Sequence, residues 1–171
     1  MTLIHTALLC EAQSFIEKYK LKKTNLNPKI YSNDEYIVLI SGVGKENTIS
    51  SIEYIFKNYK ISKAINIGVA GVSDKSISIG EMFCCNHKLN GIKWLPLETV
   101  DMPQTKHNTN EITLYDMETK YFLDISREYL DENNILVFKV VSDYLSSDIL
   151  AKDFIKKLIK NSTSSLIDSF I

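Results

Sequence analysis

The chain has 171 residues, 44% of them hydrophobic and 24% charged, with a net charge of −1. That length holds one domain with a sizeable core, and the composition excludes a disordered chain. The near-zero charge leaves no bulk field to attract nucleic acid or an anionic membrane, so neither is expected as a partner.

Leu3 to Leu9 is a short apolar run that predicts a buried strand, with Glu11 at its carboxyl end. Met1 to Cys10 lacks the basic start of a secretory signal, and the chain contains no apolar run of about 18 residues that would span a membrane. Ala12 to Leu21 follows with helical spacing at Phe15, Ile16 and Tyr19. Lys29 to Ser32 and Glu35 to Ser41 flank Asn33-Asp34 and predict a hairpin. Gly42-Val43-Gly44-Lys45 then turns into a helix over Glu46 to Tyr59. Such a turn can hold an anion at the helix start, or it can simply be a tight connection.

Ala64 to Gly68 predicts another buried strand, running into the small residues Val69-Ala70-Gly71. Small side chains let a ligand approach the backbone, and ligands of open α/β sheets sit at the carboxyl ends of strands. Glu81 to His87 and Ile92 to Leu97 predict two strands joined by the hairpin turn Asn90-Gly91. Glu98 to Glu111 is the least regular stretch. Asp116 to Tyr129 predicts a helix, Ile135 to Val141 a strand, and Ser147 to Lys160 an amphipathic helix. Leu166, Ile167, Phe170 and Ile171 extend that apolar pattern. Strands alternating with helices, with hairpins inserted, predict one α/β domain over residues 1–171: three layers, with a mixed, mostly buried sheet between helices.

Cys10, Cys84 and Cys85 are odd in number and lie in apolar surroundings, which fits reduced cytoplasmic thiols. The cysteines lack the paired spacing of a zinc site, and His5, His87 and His107 are scattered; no metal and no cofactor are expected. Arg127 is the only arginine, which leaves little for a bidentate phosphate clamp. Acids at the edges of apolar elements are the candidate chemistry: Glu11, Glu118 with Asp116, and Asp143. On the residues alone, first-turn helix acids and an N-cap explain them more readily than a site does.

Taken together and in order, these motifs resemble the nucleoside phosphorylase and nucleosidase superfamily, nearest to its methylthioadenosine/S-adenosylhomocysteine nucleosidases. Ala7-Leu8-Leu9-Cys10-Glu11-Ala12 looks like the first strand with its catalytic Glu, and Ser41-Gly42-Val43-Gly44-Lys45 like the Ser-Gly-x-Gly-Lys turn. Ile65-Asn66-Ile67-Gly68-Val69-Ala70-Gly71 looks like the central glycine strand, Asp116-Met117-Glu118 like the ribose-holding pair, and Val141-Ser142-Asp143 like the Ser-Asp that meets the base.

The resemblance implies cleavage of the N-glycosidic bond of a purine nucleoside, with Asp143 as general acid and Glu11 as the base that activates water. Met117, Glu118, Val69, Ala70, Gly71, Ser142 and Gly44 would bind substrate, in a homo-oligomer. Two departures stand out. Typical members are longer, with the shortfall between His87 and Tyr115, where a base-stacking aromatic belongs; Trp94 and Tyr144 are the candidates to replace it. Val69 stands where the phosphorylases have a phosphate-binding Ser, which favours water as nucleophile. A phosphorylase using Lys45, and an inactive nucleoside-binding relative, are the alternatives.

Overall fold

The computed structural model describes residues 1–106, 110–163 and 170, so His107, Leu166, Ile167 and Ile171 lie outside the described residues. Four parallel strands make the centre of one sheet: β1 (Thr2–Thr6), β4 (Tyr36–Ile40), β5 (Lys63–Val72) and β10 (Ile135–Asp143). The sheet runs β2-β3-β4-β1-β5-β10-β6-β7, with β2 at Lys22–Lys23, β3 at Lys29–Ser32, β6 at Met82–Cys84 and β7 at Lys93–Trp94. Two further strands, β8 (Leu97–Thr99) and β9 (Leu114–Asp116), join at the end of β5.

A parallel sheet must be covered on both faces. Helices α1 (Leu9–Lys18) and α4 (Lys152–Thr163) seal one face through Phe15, Ile155 and Ile159, against Ile65, Ile67 and Phe138. Helices α2 (Lys45–Asn58) and α3 (Thr119–Ser126) seal the other through Ile52, Ile55 and Phe122, against Leu3, Leu39 and Val137. The expected α/β domain is therefore present. Among the described residues no helix is long and apolar enough to cross a membrane.

Three local expectations need correcting. The first strand ends at Thr6 and α1 starts at Leu9, so Glu11 sits in the first turn of a helix. Asp116 is not helical: it closes β9, and α3 starts only at Thr119, with Glu118 as its N-cap residue. The stretch is short, buried and paired with β5 and β8, and this pairing overrides its helical spacing. Finally, Asn90-Gly91 does not join a hairpin. β6 lies antiparallel to β10, and β7 pairs with β6 in parallel.

Candidate active site

A cleft opens where β1, β4, β5 and β10 end. Ala7, Leu8, Glu11, Val69, Ala70 and Gly71 line one part of it. Met117, Glu118, Ser142 and Asp143 line another, so every expected site residue but Gly44 is on its wall. Gly44 stands behind Glu118 and donates its backbone N–H to Glu118 Oε1 at 2.9 Å. It adopts φ +91°, a backbone conformation that favours glycine.

Glu11 is buried and held entirely by backbone. Its Oε2 accepts from the N–H groups of Ala7 and Leu8 at 3.1 and 2.8 Å, and its Oε1 from Val69 at 3.0 Å. Burial pushes the carboxyl above its ordinary range, against the pull of those N–H groups and of Lys139. Space for it comes from Gly68, where an added Cβ would stand 3.0 Å from Glu11 Oε1 and 3.5 Å from Lys139 Nζ.

Glu118 is 8% exposed, and its pKa rises to about 7. Burial is the main cause; the Lys139 ammonium opposes it and the Asp116 carboxylate adds to it. A carboxylate poised there can take hydrogen bonds from a vicinal diol and still exchange a proton near neutrality. Asp143 follows a bulge in β10. Its Oδ2 accepts from Ser142 Oγ at 2.7 Å and its Oδ1 from Ser146 N–H at 3.0 Å. Ser142 Oγ also lies 3.3 Å from the Ala70 carbonyl. The hydroxyl can therefore turn to that carbonyl and accept from Asp143 when the acid is protonated. Asp143 is no N-cap, since α4 begins only at Lys152.

Sequence reasoning missed the network behind this wall. Lys139 is buried in β10, with its Nζ 2.8 Å from Asp116 Oδ2. Asp116 also accepts from Thr99 Oγ1 at 2.7 Å and from the Thr119 backbone N–H at 3.0 Å. Thr119 Oγ1 meets Asn66 Oδ1 at 3.2 Å, and Asn66 Nδ2 donates to His5 Nδ1 at 2.8 Å. That donor places the His5 proton on Nε2, which faces Ser41 Oγ at 2.8 Å. Burial, with the Lys139 charge, lowers His5 to a pKa of about 3, so the ring is neutral. Burial alone would raise Asp116, but Lys139, Thr119 and Thr99 hold it below its usual range.

Neither replacement aromatic reaches the cleft. Trp94 lies half-exposed on β7 under the Lys88 ammonium, and the Tyr144 hydroxyl donates to the Ile77 carbonyl. Tyr115 is the one aromatic among the lining residues. Arg127 binds Glu132 with two hydrogen bonds on the surface, and Lys45 Nζ lies 5.7 Å from the Tyr121 ring centre.

No family model matches the chain, and no curated protein matches it in sequence. Solved structures do match in shape. The Streptococcus pneumoniae MTA/SAH nucleosidase bound to 8-aminoadenine superposes with a TM-score of 0.78 at 15% identity, covering 97% of this chain and 96% of that one. The Helicobacter pylori 5'-methylthioadenosine/S-adenosylhomocysteine nucleosidase bound to butyl-thio-DADMe-Immucillin-A gives 0.78 at 16% identity, covering 98% and 97%. The S-adenosylhomocysteine nucleosidase of Streptococcus pyogenes, bound to 5-methylthiotubericidin, gives 0.79 at 14% identity, covering 95% and 92%. At such identities the likeness establishes the fold.

Proposed function

We propose, from the nucleosidase fold and the acids on its cleft, that the chain hydrolyses the N-glycosidic bond of a purine nucleoside, with 5'-thio-modified adenosines as the substrate class. The observation that carries the reading is that Glu11, Glu118 and Asp143 line one cleft together with Met117. Neighbours of the same fold bind adenine-like and methylthio ligands, which supports the substrate class.

The chemistry asks for three acids in different roles. Asp143, once protonated, gives its proton to the purine N7 as the glycosidic bond breaks and its electron pair moves onto the base. The sugar is left with oxocarbenium character, which the carboxylates of Glu118 and Glu11 stabilise in a water-poor cleft. Glu118 accepts hydrogen bonds from the ribose hydroxyls, with Met117 packed beneath the sugar. Water attacks C1' and its proton passes to Glu11, whose affinity for protons burial raises above that of an ordinary carboxylate.

Water is favoured over phosphate on charge. Five acids line the cleft, Glu11, Asp116, Glu118, Asp143 and Asp148; Arg127 is paired elsewhere, and Val69 offers no hydroxyl. We further read the chain as a cytoplasmic homo-oligomer. The free state of all three cysteines is consistent with that compartment, and sedimentation of the purified chain tests the assembly.

The test is base release from methylthioadenosine, S-adenosylhomocysteine, adenosine and inosine, each with and without phosphate. Adenine should appear without phosphate, and Asp143→Asn should lower kcat by about 100-fold or more. Release only with phosphate would make the chain a phosphorylase. Binding of adenine with no release from any substrate would make it a nucleoside-binding relative.

A further inference from the structure

Lys139 places a charged side chain between Phe138 and Val140, both fully buried, and is itself 2% exposed. An ammonium so enclosed persists only if it is paired. The groups that face it come from five directions. His5 faces it from β1, Glu11 from α1, Asp116 from β9, Glu118 from the head of α3, and Cys85 from the chain after β6. His5 is neutral, and burial pushes the Cys85 thiol up, so neither carries charge. One buried cation therefore serves three carboxylates. Asp116 takes it directly, at 2.8 Å. Glu11 and Glu118 are the two that also carry the proposed chemistry.

We propose that Lys139 is a positioning residue for the reaction: it is the shared counter-charge that decides whether Glu11 and Glu118 stand ionised, and Asp116 tempers it. The geometry that fixes the cation also fixes its clients. Gly68 leaves room for Glu11 and the Lys139 ammonium to approach across one strand. Thr99 and Thr119 hold Asp116, and the line through Thr119, Asn66 and His5 ends on Ser41. Ser41 opens the turn whose Gly44 N–H holds Glu118. Lys139 needs no contact with substrate for this role. Its effect on catalysis rests on the nucleosidase reading, whereas its effect on the two carboxyls does not.

The opposed signs of Lys139 and Asp116 make a test. Carbon-13 NMR of carboxyl-labelled glutamate in the full chain follows each titration, with Glu11→Gln and Glu118→Gln assigning the two signals. Lys139→Met should raise both midpoints by about one pH unit or more, and Asp116→Asn should lower both. Lys139→Arg, which keeps the charge, should leave them nearly in place. Midpoints that stay put, or that move the same way in both charge-removing variants, would overturn the proposal. If Lys139→Met does not fold, Lys139→Gln takes its place: a rise in both midpoints supports the role, and no change or a fall overturns it. In base release, the acidic limb of kcat/KM should follow the Glu11 midpoint in those same directions. A limb that ignores the midpoint would overturn the reaction role. Opposed midpoint shifts in a chain that releases no base would sink the nucleosidase reading and leave the counter-charge standing.

Discussion

On the proposed function, Glu118 serves folding and binding in opposite senses. Its folded pKa, about 7, is raised above its ordinary 4.5, so the folded chain prefers it protonated. The stability from that preference is complete below about 4.5 and is lost as pH rises through about 7. Glu118→Gln keeps an acceptor for the Gly44 N–H and removes the buried charge. It should stabilise the protein by about 1 to 3 kcal/mol at pH ~8, with the gain vanishing near pH ~4, as thermal melts at the two pH values would show. His5 works the other way: with a folded pKa of about 3 against an ordinary 6.5, its contribution holds above 6.5 and is lost as pH falls. In the proposed reaction, ribose hydroxyls need the Glu118 anion as acceptor. Nucleoside affinity, measured by calorimetry, should weaken as pH falls below about 7, and Glu118→Gln should abolish that dependence.

At the scale of elements, β5 and β10 present the acid and the room for it. An added Cβ at Gly71 would stand 3.0 Å from Asp143 Oδ1 and 3.3 Å from Leu145 Cδ2, and Leu145 already holds φ +56°. Gly71→Ala should therefore displace Asp143 and lower kcat by about 10- to 100-fold, with little change in the far-ultraviolet circular dichroism. The carboxyl end of β10 was legible because its apolar run stops at Asp143, whereas the runs that stop before Glu11 and at Gly68 miss the observed strand ends at Thr6 and Val72. Met117 and Glu118 were legible only through the order of motifs, since their local spacing pointed to a longer helix than the one that forms. Lys139 gave no signal. A lysine inside an apolar run looks like one outward residue of a strand, and what buries it comes from β9, α1 and α3, all distant in sequence. His5 was hidden for the same reason, and Asp116, a candidate acid in the sequence, gave no sign of its Lys139 partner. The parallel pairing of β6 and β7 could not be read from Asn90-Gly91, because a turn dipeptide specifies a bend and not the strands it serves.

For the whole molecule, the α/β class followed from alternation alone, because a parallel sheet must be sealed on both faces and its strands read as unbroken apolar runs. The cleft lies where such sheets place ligands, beyond the carboxyl ends of the parallel strands. On the proposed function, a chain of net charge −1 acts on an uncharged nucleoside and has nothing to steer. Its kcat/KM for methylthioadenosine should change less than about twofold between ~20 and ~300 mM salt, whether the salt is chloride or phosphate. A steep fall with salt would point to an anionic substrate.

β1 accompanies β5 only as far as Asn66, and beyond that point Glu11 Oε1, not a strand, receives the Val69 amide. A side chain thus continues the ladder for one rung. Hydrogen–deuterium exchange at Val69 should report on that one carboxyl: slow in the native chain, and much faster in Glu11→Ala while Ile65 and Ile67 stay protected. The state of the proposed base becomes readable from a backbone amide, with no substrate present.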